Sequence, residues 1–553
     1  MKKLLTILIL AICTQAFAQV PPWVWGRQAI GGGEGLASTT DANGNVYLCG
    51  GYEDTTSIAS IIFGSDTLHS IDNGGVFLAK YNSSGNFLWA RSSSGHGYAY
   101  KVITDANGNV FMTGENLDTT MIFGTDTLHS YGPGADAFLV KYDSSGNELW
   151  AKGDGGNNFD YGLGVATDAA GNVFISGETY SDSLQFGNQT VHVGYGSIFT
   201  AKYDPAGNLL WAKASTDSSY ATSAGVGTDQ NGNSYIAGYF NGDSITFANQ
   251  TLFNSSPVGH SEMFVLKYDP SGNIIWARTD GVANDGEQAQ AICQTATNRL
   301  LITGEFGGTS TWNFGPSPLI PNAPSGDLFL AAYDTSGTPQ WADQSTGAGM
   351  IGFDVDKDAS GNIYVCGGST QTSPTLVNFG PIQLFASGTN DQSFIVKYDA
   401  LGTVQWAEMV MGGGDDQNAI AVGNNGDLFF SGDLYYTPLI FGGDSLYNNW
   451  GEVPFIAKMN PLGDVGIPEI SAADQLNIFP DPCVTSSLIQ FSSPLQNGKL
   501  IITDVSGRIV GEYNDISGNS FQFQRRDLNA GIYLITLSEE ENIIATGKVV
   551  VGE

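Results

Sequence analysis

A tryptophan returns along the chain at Trp89, Trp150, Trp211, Trp276, Trp341 and Trp406, at spacings of 61, 61, 65, 65 and 65 residues. The same features precede it each time, in the same order. A D-x-x-G-N turn comes first: Asp41 to Asn45, Asp105 to Asn109, Asp168 to Asn172, Asp229 to Asn233 and Asp358 to Asn362. A β-rich run follows, then a phenylalanine at Phe63, Phe123, Phe186, Phe247, Phe314, Phe379 and Phe441, usually before glycine. A Lys-Tyr-Asp stretch, an SGN-type turn and the tryptophan complete the unit. Short alternating runs between Gly/Asn turns are the pattern of antiparallel strands. A repeat of this length is one supersecondary unit that buries its apolar face only against its neighbours.

Four strands per unit predict the blade of a β-propeller. The phenylalanines count seven units, and the seventh lacks its tryptophan after Lys458-Met459-Asn460. The missing strand stands at the other end of the chain, as Pro22-Trp23-Val24-Trp25-Gly26-Arg27. Trp25 precedes Trp89 by 64 residues, in register with the rest. The expected fold is therefore all-β: a seven-bladed β-propeller over residues 19–465, with the N-terminal strand closing blade seven so that no sheet edge is left unpaired. The units resemble the seven-bladed propeller repeats of exported bacterial proteins over about residues 20–465. That resemblance implies a fold and no single activity.

The two ends of the chain read as addresses. Residues 1–18 combine Lys2 and Lys3, an apolar run from Leu4 to Ile12 that is too short to span a bilayer, and Ala16-Phe17-Ala18 before Gln19. This is the pattern of a secretory signal peptide cut between Ala18 and Gln19. No later segment is apolar enough for a membrane span. After a polar linker at about 463–474, residues 466–553 follow a different pattern, expected to be a small Ig-like β-sandwich. Ile478-Phe479-Pro480-Asp481-Pro482, Asp504 to Val510 around Gly507, and Leu528 to Tyr533 around Gly531 resemble the type A C-terminal sorting domain of the type IX secretion system. Phe479 and Asp481 depart from the usual Tyr and Asn of its opening motif. The resemblance implies Pro480, Pro482, Gly507, Gly531 and Tyr533 as sorting residues, the type IX machinery as a partner, and a Gram-negative bacterium. It also implies passage through the periplasm, then release or attachment at the outer surface.

Composition narrows the partners. With 21 basic against 55 acidic residues the formal net charge is −34, which excludes holding a nucleic-acid backbone by counterion release. Apparent chemical motifs dissolve into the repeat. Gly443-Asp444-Ser445-Leu446 spells a serine-esterase signature but occupies the position of FGSDTL and FGTDTL in other units. His69, His129 and His192 share one repeat position. The lysines of the Lys-Tyr-Asp slot and the bases after the tryptophans are expected to pair with repeat carboxylates or lie over aromatic rings. Cys49, Cys293, Cys366 and Cys483 read as buried free thiols.

Two acidic features fall outside that scaffold. Glu115, Glu178, Glu305 and Asp433 follow the glycine that ends the second strand on four blades, and are candidate ligand-binding residues in a carboxylate ring on one face. Asp354, Asp356 and Asp358 alternate along the first strand of blade six and so share a face; oxygen ligands in such a ladder suit Ca²⁺, the one cofactor the sequence suggests. Tyr98, Tyr100, Tyr161, Tyr220 and Tyr435 stand in or near the variable connections. The functional expectation is a non-catalytic secreted or cell-surface propeller, used for binding, adhesion or as an interaction scaffold with an extracellular protein or glycan. The alternatives are a glycan-active enzyme with paired carboxylates and a structural surface component.

Overall fold

The computed structural model describes residues 20–460 and 476–551, apart from 54–59, 71–73, 256–258, 281–285, 296–297, 309, 322–325, 348, 370–372, 387–391, 412–417, 435–438, 448–450, 480–482, 505–508, 526–527, 530 and 540–541. The signal-peptide segment with its cleavage site at Ala18 and Gln19, and Tyr435, Pro480, Pro482 and Gly507, thus lie outside the described residues. Every regular element among them is a strand, and no helix is long and apolar enough to cross a membrane. The chain divides into two compact units, Met1–Leu462 and Gly463–Glu553.

The first unit is a β-propeller of antiparallel sheets, each with four strands running outward; a hairpin of the following unit extends two of them to six. Their innermost strands are, in order, Glu34–Thr40, Gly97–Thr104, Asp160–Thr167, Ala221–Thr228, Gly286–Gln294, Met350–Lys357 and Ala419–Val422. Each contacts the next, and the last returns to the first, so the ring is closed. The seventh sheet runs Trp23–Gln28, Pro454–Met459, Leu428–Asp433, Ala419–Val422, which places the N-terminal strand on its outside.

Local chemistry explains why the repeat folds this way. The D-x-x-G-N segment links the first and second strands. Asp41 accepts hydrogen bonds from the Asn43 and Asn45 amides at 2.9 and 3.0 Å, and Asn45 Nδ2 donates to the same carboxylate at 2.8 Å. Gly44 sits at φ +77°, where a Cβ would be strained. The repeat phenylalanine is buried under a small hairpin, as Phe63 and Phe123 show.

Successive sheets are stapled by the tryptophan and lysine of the repeat. Trp150 Nε1 and Lys141 Nζ both donate to the Pro205 carbonyl of the next sheet, at 3.2 and 2.9 Å. Trp211 and Lys202 do the same at Pro270, and Trp276 and Lys267 at Thr335. Lys80, Lys202 and Lys267 also lie over the rings of Tyr47, Phe174 and Tyr235, and pair with Asp41, Asp168 and Asp229. The expectation that these bases are scaffold is met. Asp444 of the esterase-like signature is scaffold too: its carboxylate accepts the Gly26 amide and pairs with Arg27 at 2.8 Å, as Asp66 and Asp126 accept the Ala90 and Ala151 amides. Cys49, Cys293, Cys366 and Cys483, the four cysteines among the described residues, are free and buried.

The second unit is a five-stranded antiparallel sheet. Its long strands Ser486–Asp504 and Ile509–Gln524 form one hairpin with register shifts near Gln490, Leu495 and Gly498. Residues from both halves of that hairpin, such as Ile489 and Phe523, Leu500 and Ile516, share one core with Ile535, Leu537 and Val549. Pairing along the hairpin is interrupted between Gln490 and Leu495 and resumes beyond Gly498. Tyr533 is buried in this core, with its hydroxyl donating to the Asn529 carbonyl at 3.0 Å, and Gly531 opens its strand.

Candidate functional site

The propeller has two unlike ends. One carries the short repeat-locked turns. The other carries the second-to-third connections and the links between sheets, and the candidate carboxylates are there. Glu115, Glu178, Glu305 and Asp433 occupy equivalent positions at the ends of second strands. The remaining members of that circle are Gly51, Tyr239 and Gly368. Burial raises the carboxyl pKa of Glu115, Glu178 and Glu305. Glu115 is opposed by a 2.5 Å hydrogen bond from the Tyr100 hydroxyl, while the charge of Glu115 pushes Glu178 further up. One Glu178 oxygen is buried without a hydrogen-bond partner.

Tyrosines interleave with these acids. Tyr98 stacks on Tyr100 with centroids 6.5 Å apart, and Phe159 on Tyr161 at 6.4 Å. Tyr195 meets Tyr180 at 5.3 Å and Tyr220 at 5.9 Å, both edge-on. Phe159, Tyr195 and Tyr220 are 43 to 54% exposed, and Tyr220 is held at φ +46°, a conformation costly for a residue with a Cβ. The tyrosine hydroxyls sense one another and the glutamates along the arc: Tyr100 with Tyr161, Tyr161 with Tyr180, Tyr239 with Glu178 and Glu305.

Closure of the ring builds a feature the repeat pattern does not contain. Glu34 opens the innermost strand of sheet one, and Glu452 precedes a strand of sheet seven, 418 residues later in the chain. Their carboxyls hydrogen-bond to each other, with Glu53 and Asp433 close enough to repel. Burial, the contact with Glu452 and those charges push the Glu34 carboxyl up to about 8. Glu34, Glu53 and Glu452 line a cavity of about 140 Å³ with Gly32, Gly33, Gly51, Tyr52 and Tyr98. A Cβ on Gly51 would sit 2.3 Å from the Tyr98 ring, so glycine is what lets that ring form the wall. Tyr98 donates to Glu53 at 3.3 Å, and His96 Nε2 stands 3.5 Å from the same carboxylate.

Glu34 gives stability a definite pH dependence. A carboxyl raised from 4.5 to about 8 binds its proton more tightly in the folded state. Its contribution is intact below about pH 4.5 and is lost as pH rises toward 8. Glu34→Gln removes that loss. The variant is expected to melt above the wild type at pH 9, with the gap closing toward pH 5, as read by thermal unfolding across the series.

The Asp354, Asp356 and Asp358 ladder is occupied otherwise than a Ca²⁺ site requires. A bulge recurs at one place in the innermost strands, between Ala99 and Lys101, and between Gly352 and Asp354. At the equivalent position other sheets carry Ala37, Gly164, Gly225 and Ala291. The small residues leave room for Lys101 and Asp354 to meet across the axis at 2.8 Å. Asp354 also accepts the Ile420 amide at 3.2 Å, and Asp356 the Val422 amide at 2.8 Å, so both tie sheet six to sheet seven. Asp358 closes its own turn through Ser360 and Asn362. Among the described residues no group of three or more His, Cys, Asp or Glu side chains is placed to hold a metal ion. Lys101→Met strands the Asp354 carboxylate on a single amide. About a third of the Lys101 side chain remains open to the channel, so the expected loss is about 2 kcal/mol rather than the 3–5 of a fully buried pair. Urea unfolding measures it.

Comparison with known proteins decides the C-terminal unit. Residues 477–552 match the secretion system C-terminal sorting domain. The sorting domain implies handling by the type IX secretion machinery and export to the cell surface or beyond. The chain is similar to an uncharacterized WD repeat-containing protein of Acanthamoeba polyphaga mimivirus, 23% identical over 441 residues, covering 64% of this chain and 31% of the relative. It is also similar to the regulatory protein FlaEY of Caulobacter vibrioides, 23% identical over 424 residues, covering 70% of this chain and 41% of that protein. The chain thus spans about a third to two fifths of the length of these curated relatives. Among solved structures, a europium-containing methanol dehydrogenase aligns at 11% identity over 79% of this chain and 93% of its own, with a TM-score of 0.33. A Synechocystis apocarotenoid oxygenase variant aligns at 11% over 92% and 97%, with a TM-score of 0.30. Likeness at that level says nothing about activity.

The seam cavity escaped sequence reasoning because Glu34, Glu53 and Glu452 have no counterparts in the other units. The available signal was that asymmetry itself, at the two sheets that ring closure makes neighbours.

Proposed function

We propose that this protein is a secreted or surface-displayed, non-catalytic binding module whose loop end holds an extracellular glycan or protein. The observation that carries the reading is the arc of tyrosines and carboxylates from Tyr98 to Tyr239, with Phe159, Tyr195 and Tyr220 open to solvent. Rigid, amphipathic rings on a closed scaffold bind with little loss of side-chain freedom. The carboxylates of the arc recur by sheet, and Glu115 is held by the Tyr100 hydroxyl, which suits recognition better than the separated acid and base of a glycosidase. In the same reading, residues 1–18 carry the chain into the periplasm of a Gram-negative bacterium, and the type IX machinery then takes it outward with residues 466–553 removed.

A glycan array and a panel of extracellular proteins, run beside a glycosidase panel, test this. Tyr195→Ala with Tyr220→Ala is expected to weaken the ligand found at least tenfold, with no turnover of any substrate. Turnover of a glycan that disappears in Glu178→Gln would overturn the non-catalytic assignment.

A further inference from the structure

We infer that the loop end docks a basic polypeptide, with a lysine or arginine side chain of the partner entering the cavity between sheets one and seven. This rests on the binding reading above and narrows its ligand class. Three glutamates, Glu34, Glu53 and Glu452, line one cavity of about 140 Å³, room enough for an alkylammonium or guanidinium head. Asp433 adds its charge from the same end. The walls are Tyr52 and Tyr98, and an aromatic face beside carboxylates is the setting that favours an organic cation. His96 stands at the rim, 3.5 Å from Glu53. Tyr98 in the cavity wall stacks on Tyr100, the next ring of the aromatic arc, so a peptide anchored there by one side chain is directed onto that arc. A chain with net charge −34 attracts a basic segment and repels an acidic one.

Glu34 links docking to pH. A cation in the cavity favours the ionised carboxyl, so binding expels a proton at neutral pH. Affinity then rises as pH approaches 8. The charged and titratable groups facing Glu34 are Glu452, Glu53, Asp433, Tyr98 and, across Glu53, His96.

The probe is fluorescein-labelled octalysine, read by anisotropy against the full secreted protein, beside octaglutamate and a neutral oligosaccharide. Octalysine alone is expected to bind, about tenfold or more tightly at pH 9 than at pH 6. Glu53→Gln with Glu452→Gln is expected to weaken it at least tenfold, although net charge changes by only about two units. Glu34→Gln is expected to bind with little pH dependence. Octalysine bound equally by the double variant means diffuse charge alone and overturns the inference, as does a pH rise undiminished in Glu34→Gln. If the neutral oligosaccharide binds and octalysine does not, this inference falls while the binding reading stands. If Tyr195→Ala with Tyr220→Ala binds every ligand as the wild type does, the binding reading itself falls.

Discussion

Removal of residues 466–553 is expected to abolish export while leaving the propeller folded. The sorting domain is a compact unit with its own core of Ile489, Leu500, Ile502, Ile535, Leu537 and Val549. Among the described residues, no strand of the propeller sheets comes from it. The truncated chain should therefore keep the thermal transition of the propeller, yet be found inside the cell rather than in the medium or on the surface. Immunoblots of fractions from a strain with an intact type IX system measure this, and the secreted fraction is expected to fall by at least an order of magnitude. A point variant separates recognition from folding. Tyr533→Phe keeps the buried ring and loses the hydrogen bond to the Asn529 carbonyl, a cost of about 1 kcal/mol. Tyr533→Ala opens a cavity worth about 3–5 kcal/mol and should block export with the domain unfolded. Undiminished secretion of the truncated chain would remove the role assigned to this domain.

The second large effect lies at the other terminus. Joining the signal segment directly to residue 29 deletes the strand Trp23–Gln28 and should leave a protein that does not accumulate in soluble form. That strand pairs with Pro454–Met459 and completes sheet seven. Without it the third strand becomes an open edge, a template for pairing with other chains. Trp23 packs edge-on against Phe441 at 4.6 Å. Trp25 Nε1 donates to the Ser83 carbonyl at 3.2 Å, and Lys458 Nζ reaches the same carbonyl at 3.0 Å. Arg27 adds a bond to the Gly85 carbonyl at 3.0 Å. The junction between last and first sheets thus uses the staple that joins internal neighbours. Trp25→Ala should cost about 3–5 kcal/mol, close to the cost of Trp211→Ala, whose Nε1 holds Pro270 in the same way. Since net stabilities are about 5–15 kcal/mol, either change is visible in a urea midpoint. A Trp25→Ala protein with the wild-type midpoint would show that the ring does not depend on its N-terminal strand.

Much of this architecture was legible in residue order. A tryptophan every 61 to 65 residues, the D-x-x-G-N turns and the Lys-Tyr-Asp stretches determine where strands start and stop and which bases serve the scaffold. Each acts within a unit or between adjacent units, so identical chemistry repeats and a pattern reveals it. The displaced strand at Trp25 was legible for the same reason, since its register matches the other tryptophans. The acids Glu115, Glu178, Glu305 and Asp433 could be placed at one end by counting from the glycines that precede them. Asp354 and Asp356 lie on one side of their strand as alternation predicts, since pairing is regular from Asp354 to Lys357 and both reach amides of sheet seven. Their partners could not be read from spacing, because Lys101, 253 positions away, takes Asp354 across the axis.

Sequence by itself determined the unit, its turns, its staples and the export address, because these depend on contacts between residues near in the chain or related by the repeat. Tertiary structure alone decided what happens where the circle closes. Glu34 and Glu452 are 418 residues apart and share a hydrogen bond because sheets one and seven are neighbours. The electrostatics of that junction, and the cavity beside it, arise from distances in space that no spacing along the chain encodes.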